Sequence, residues 1–143
     1  MPFAHVTLLA GRPPEQLHRL MAALSDCFAH VLDAPRERLR VWISEISPDG
    51  WGWRGQAFTL AFDQGLPPTA ETPILQLSLL QGRPVAQHHA LIAAMTDVLE
   101  QVLAVERSGI RVAISEINPD LFGIAGVPAS VARKAEIEAR RQG

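Results

Sequence analysis

A chain of 143 residues and 15.6 kDa, 48% of them hydrophobic, can bury one sizeable core. Its 13 Lys and Arg against 15 Asp and Glu leave a formal charge of −2, which excludes the basic footprint of a nucleic-acid or anionic-membrane partner. No apolar run reaches the roughly 18 residues of a membrane span, no basic region precedes the first apolar stretch, and the single Cys27 cannot form an internal disulfide, so a cytoplasmic, soluble protein is expected.

The chain is an internal duplication. Shifted by 71 residues, Pro2–Gly55 aligns with Pro73–Gly126 without a gap, and 25 of the 54 aligned positions are identical. Among them are Pro2 and Pro73, Gly11-Arg12-Pro13 and Gly82-Arg83-Pro84, Arg40-Val41 and Arg111-Val112, and Ser44-Glu45-Ile46 and Ser115-Glu116-Ile117. A solenoid generally needs at least about three repeats, so two copies must pack on each other or on further chains.

Each copy opens with a short apolar run, residues 3–9 and 74–80, that ends near a glycine and predicts a strand buried on both faces. Leu17, Leu20, Met21, Leu24, Phe28, Val31 and Leu32 then recur at the spacing of one helical face, as do Leu91, Ile92, Met95, Val98, Leu99, Val102 and Leu103. Pro13-Pro14 and Pro84 suit the first helical turn, and Asp33-Ala34-Pro35 or Ser108-Gly109 is expected to end it. Residues 40–46 and 111–117 predict second strands, parallel to the first because a helix-length crossover intervenes. Gly50-Trp51-Gly52-Trp53 and Leu121-Phe122-Gly123 predict hairpins beyond them. Between the copies, the alternation of Phe58, Leu60 and Phe62 predicts a short strand before the turn Gly65-Leu66-Pro67-Pro68, and the Ala- and charge-rich tail from Pro128 to Arg141 a short helix with no assigned role.

The predicted fold is thus α/β: tandem β-α-β repeats forming a four-stranded sheet with two long helices on one face, plus short hairpins. It is expected to be one domain, with the first unit at 2–57, a connector at 58–72, the second unit at 73–128 and a tail at 129–143. The sheet face away from the helices stays apolar and uncovered, which points to oligomerisation.

Each repeat reads Pro-x-x-x-hydrophobic-x-Leu-Leu-x-Gly-Arg, then a helix, then Arg-Val-x-Ile-Ser-Glu and an aromatic-Gly hairpin. This pattern resembles the 4-oxalocrotonate tautomerase family, and the chain looks like two of its subunits fused head to tail, covering about residues 2–57 and 73–128. The resemblance implies the tautomerase fold, a ring of six units and hence a homotrimer, no cofactor and no metal. It implies a base at Pro2, exposed by removal of Met1, since the prolyl secondary amine can shuttle a proton when burial or positive charge keeps it neutral. Pro73 matches the same position, but its nitrogen lies in a mid-chain tertiary amide and has no basic lone pair.

The family's substrate arginines fall on Arg12, Arg40 and Arg111, whose guanidiniums would clamp a small carboxylic acid and stabilise a dienolate; Arg83, in the copy with the blocked proline, is placed behind them. An aromatic set against the proline falls on Trp51 and Phe122, and Phe122 would cover the Pro2 site if the repeats pair as separate subunits do. The implied activity is an isomerase: keto–enol tautomerisation of 2-hydroxy-dienoates or related enol acids. Decarboxylation, dehalogenation or hydration by the same proline, or a non-catalytic binding or assembly role, stay open.

The remaining polar residues carry less. His5, His18, His30, His88 and His89 show no metal-ligand spacing and are expected at the surface or its boundary. Glu45 and Glu116 are expected on the solvent face of their strands, Asp49 and Asp120 as caps of turns, and Cys27 as plain packing.

Overall fold

The computed structural model describes residues 2–61 and 71–142. Strand β1 (Phe3–Leu9) leads through helix α1 (Pro14–Leu32) to β2 (Arg40–Ile46), and β5 (Ile74–Leu80) through α3 (Val85–Leu103) to β6 (Arg111–Ile117). Each pair is parallel, and the two copies meet through β1 and β5, which run antiparallel, so one four-stranded sheet has the order β2-β1-β5-β6. This is the α/β architecture read from the sequence.

The repeated apolar pattern builds the core. Ala4, Val6 and Leu8 of β1 and Leu75, Leu77 and Leu79 of β5 point to the helical side and are buried, against Leu20, Leu24, Phe28 and Leu32 of α1 and Leu91, Met95, Leu99 and Leu103 of α3. Each fully buried leucine contributes about 2 kcal/mol of apolar transfer. The helices lie side by side, and the Gln16 amide crosses between them to donate to the Val102 carbonyl at 2.8 Å.

Burial on both strand faces, expected from the apolar runs, is corrected by the structure: the alternate residues Phe3, His5 and Thr7 are only half-buried. On that side Phe3 stacks on Trp42 with ring centroids 5.5 Å apart, and His5 Nε2 lies 2.7 Å from Ser44 Oγ. Trp42 remains 45% exposed, a large aromatic on a face that no element among the described residues covers.

Other expectations shift locally. α3 ends at Leu103, with Ala104 in the left-handed region, and Ser108-Gly109 falls in a 3-10 turn before β6. The hairpins form as β3 (Gly52–Trp53) with β4 (Gln56–Ala57) and β7 (Gly123–Ile124) with β8 (Val127–Pro128). Their turns, Arg54-Gly55 and Ala125-Gly126, have positive φ at both central residues, the twist that matches a tight hairpin.

The connector strand expected at Phe58 and Leu60 is instead a helical turn, α2 (Phe58–Ala61), because the Phe58 N–H closes back on the Trp51 carbonyl at 2.8 Å. Phe62 and the turn at 65–68 lie outside the described residues. The second copy repeats that closure from Ala129 to Phe122 and starts α4 (Ala129–Ala132), which α5 (Lys134–Gln142) follows, so the tail is helical as expected.

His88 departs from its expected boundary position: it is buried on α3, its Nδ1 3.4 Å from the Pro84 carbonyl. The turn caps come from Ser47 and Asn118, which accept from the backbone N–H of Asp49 and Asp120. Glu45 and Glu116 are exposed, and Cys27 packs half-buried against the core. Among the described residues no helix is long and apolar enough to cross a membrane.

Candidate active site

The antiparallel register of β1 and β5 decides which residues meet. Phe3 stands opposite Ser78 and Thr7 opposite Ile74, so the chain leaving β5 runs past the start of β1, and the chain leaving β1 runs past the start of β5. The arginine of the second Gly-Arg motif therefore reaches Pro2, and the arginine of the first reaches the segment before Pro73.

Pro2 is half-buried, and its carbonyl accepts from the Arg40 N–H at 3.1 Å, which ties the N-terminus to the start of β2. It lines a cavity of about 20 Å³, room for about one water, with an apolar wall of Phe28, Ala34, Leu79 and Leu80. The polar wall is made of Arg38, Arg83, Arg133 and Arg140. Ala34, Arg38, Arg83 and Arg140 also border an outer groove of about 440 Å³, together with Leu32, Asp33, Pro35, Glu136 and Ala139.

Among the described residues, only Arg38 of these arginines is neutralised by a carboxylate: its two terminal nitrogens donate to Glu136 at 2.8 and 2.6 Å. That bond holds the Arg38 guanidinium above its ordinary pKa and the Glu136 carboxyl below its own. Arg83 donates to the Leu32 carbonyl at 3.3 Å and to the Gln87 side-chain oxygen at 3.1 Å, and among the described residues has no carboxylate partner. Burial, then the charges of Arg140 and Arg38, push it down to about 10. Arg133 is lowered too, by burial first and by Arg38 next.

The second copy is asymmetric at the matching place. Pro73 is fully buried, and its carbonyl accepts from the Arg111 N–H at 3.0 Å as Pro2 does from Arg40. Arg12, the counterpart of Arg83, holds the Glu71 carboxylate through two hydrogen bonds of 2.8 and 3.1 Å. An internal carboxylate thus satisfies the first Gly-Arg guanidinium, whereas the second faces the Pro2 cavity unneutralised.

Of the residues expected to bind substrate, the structure brings neither Arg12 nor Arg40 nor Arg111 side chains to the Pro2 cavity of the same chain. Arg12 is engaged by Glu71. The Arg40 guanidinium bonds the Glu37 and Leu39 carbonyls, and that of Arg111 bonds the Ser108 and Ile110 carbonyls at 2.8 and 3.0 Å, on the two outer strands of the sheet. Phe122 stacks on Phe3, the neighbour of Pro2, at a centroid distance of 6.4 Å, while Trp51 is half-buried at the hairpin of the first copy.

Arg38, Arg133, Arg140 and Glu136 are not among the residues expected from the sequence, and Arg83 stands there behind the other arginines, because positions shared by the repeats carry that expectation. The counterpart of Arg38 is Gly109, and that of Arg133 is Phe62. A signal was present in the tail, where Arg133, Arg140 and Arg141 crowd into nine residues.

A family model described as tautomerase enzyme matches residues 2–61 and again 73–132. A probable tautomerase of Ralstonia nicotianae is 36% identical over 62 residues, spanning 43% of this chain and 89% of the relative. A 2-hydroxymuconate tautomerase of a Pseudomonas species is 39% identical over 56 residues, spanning 39% of this chain and 89% of that protein. Among solved structures, one described as a fused 4-OT wild-type asymmetric trimer superposes with a TM-score of 0.80 at 28% identity, over 91% of this chain and 98% of the other. With the family pattern present in both copies and the fused fold matched along nearly the whole length, the chain belongs to the tautomerase family.

Proposed function

We propose that this protein is a keto–enol tautomerase of small 2-hydroxy-dienoates or related enol acids, with Pro2 as general base once Met1 is removed. The observation that carries this is Pro2 at a cavity walled by Arg38, Arg83, Arg133 and Arg140, with Arg83 lacking a carboxylate partner among the described residues. Positive charge and apolar walls disfavour an ammonium ion at Pro2, so its nitrogen would rest neutral near pH 7 and be able to accept a proton.

In the proposed cycle Arg83 holds the substrate carboxylate. The Pro2 nitrogen takes the enol hydroxyl proton, the electron pair left on oxygen forms the C=O bond, and the displaced π electrons take the proton back from nitrogen at carbon. The guanidiniums offset the negative charge that develops in between. Pro73, buried and acylated by Thr72, takes no part, and one working site per chain follows.

A homotrimer completes the proposal. The uncovered sheet face carrying Phe3, His5 and Trp42 would be buried by its neighbours, and Arg40 or Arg111, on the outer strands, would reach the Pro2 site of an adjoining chain. Phe122 would wall the site beside Phe3, and Trp51 would do the same at an interface between chains.

The test is the intact mass of the purified protein together with turnover of 2-hydroxymuconate and phenylenolpyruvate. A mass lacking Met1, with turnover lost in Pro2→Ala, supports the proline base. Retained Met1, or turnover that survives Pro2→Ala, removes it and leaves a ligand-binding or assembly role as the better account.

A further inference from the structure

Helix α5 lies beyond both segments that match the family model, yet it forms part of the Pro2 site. Its docking is built from three residues. Ile137 is buried, Glu136 takes both terminal nitrogens of Arg38, and the Ile137 N–H donates to the Arg133 carbonyl at 3.1 Å, which continues the turn from α4. Residues four apart share a helical face, so fixing Glu136 at Arg38 also fixes Arg140 toward the same groove. Arg140 borders both the inner cavity at Pro2 and the outer groove of about 440 Å³.

The charge in this wall is out of proportion to the chain. Four guanidiniums against the two carboxylates of Asp33 and Glu136 leave 4 − 2 = +2, on a protein whose formal charge is −2. Among the described residues neither Arg133 nor Arg140 has a hydrogen-bond or ion-pair partner for its guanidinium, and Arg83 has only a carbonyl and an amide oxygen. Burial is the main cause that pushes Arg83 down to about 10, and repulsion from Arg140 and then Arg38 adds to it. A single carboxylate at Arg83 would relieve that repulsion only in part. The inner cavity has room for about one water, whereas the outer groove, which both Arg83 and Arg140 border, has room for a ligand with two charged ends.

We propose that α5 is a specificity element of this site and that Arg140 binds the distal anionic group of a ligand carrying two carboxylates, the first of which lies at Arg83 beside Pro2. The proposal rests on the site assignment made above. It gives α5 a purpose that neither β-α-β unit requires: it selects between acids of one and two charges. Arg38, already held by Glu136, is the hinge pin of the arrangement, and Arg140 is the discriminating contact.

The experiment is calorimetric titration of the Met1-free protein with two acids that cannot tautomerise, cis,cis-muconate with two carboxylates and sorbate with one. Arg140→Ala is expected to weaken muconate binding on the order of tenfold and to change sorbate binding less than about twofold. Arg140→Lys should recover part of the muconate affinity, and Arg141→Ala, an exposed cation on the same helix that does not border the cavity, should change neither. Equal losses for both acids, an unchanged muconate affinity, or an equal effect of Arg141→Ala would overturn the proposal. Because neither acid turns over, the result is separate from the proline chemistry: turnover surviving Pro2→Ala would remove the base and leave the Arg140 contrast standing.

Discussion

Arg12 and Glu71 form a two-toothed ion pair at 2.8 and 3.1 Å, both side chains being at least four-fifths buried. Seventy-one residues on, Arg83 has no such partner among the described residues and faces the Pro2 cavity. The duplicated arginine is therefore ion-paired in one copy and, among the described residues, held only by neutral oxygens in the other. Arg83→Ala is expected to lower kcat/KM on an enol acid by about a hundredfold or more with little loss of stability, since removing it also removes repulsion. Arg12→Ala should cost about 1–3 kcal/mol of stability, because Glu71 is left part-buried and unpaired, and should leave an isolated chain's contribution to KM unchanged. Steady-state kinetics and urea denaturation on the two variants check both.

The Arg38–Glu136 pair gives α5 a pH-dependent hold. The Arg38 hydrogen bond keeps the folded Glu136 carboxyl below its ordinary value, so its contribution is fully present above the unfolded pKa of about 4.3 and is lost as pH falls through the lower folded value. Glu136 is 41% exposed, which limits the effect to about 0.5–1 kcal/mol. Wild type should thus exceed Glu136→Gln in stability by that amount at pH 7, with the difference shrinking once pH falls below about 4.3 and vanishing below the lower folded value. A constant difference across that range would contradict the pairing.

Phe28 and Leu99 occupy equivalent places in the repeat, both fully buried, but only Phe28 borders the Pro2 cavity. Phe28→Ala and Leu99→Ala should each cost about 2–5 kcal/mol in urea denaturation. Phe28→Ala alone should also raise KM, because the cavity loses the wall that orients the acid.

Burial, followed by the charge of Asp97, pushes the Cys27 thiol up. Its thiolate fraction is then small at pH 8, and a disulfide reagent should modify the native protein at least about tenfold more slowly than the urea-unfolded chain. Asp97→Asn should speed the native reaction modestly, since the secondary cause is removed and the primary one kept.

The fold was legible because its signals are local and stated twice. The helical spacing from Leu17 to Leu32 returns from Leu91 to Leu103, and the apolar runs that become β1 and β5 return in register, so each copy checks the other. Errors arose where a tertiary hydrogen bond overrode a pattern, as when Phe58 closed on Trp51 and turned an expected strand into α2. Of the residues that line the cavity at Pro2, the sequence singled out only Pro2 and, behind the other arginines, Arg83. Arg12 and Arg83 look identical in sequence, and what separates them is Glu71, at the end of the connector, together with the antiparallel pairing of β1 and β5.

By itself the sequence determined the duplication, the two β-α-β units and the family, because each depends on residue type or short-range periodicity. Tertiary structure alone decided which arginines surround Pro2. Repeated residues maintain a scaffold that both copies need, whereas Arg38, Arg133 and Arg140 have no arginine at the matching positions of the other copy and gather only when β5 passes the N-terminus and α5 folds back on Arg38. Charges more than 90 positions apart in the chain carry no mutual signal in one sequence; their proximity exists only once the register of two strands and the docking of one helix bring them within Coulombic reach.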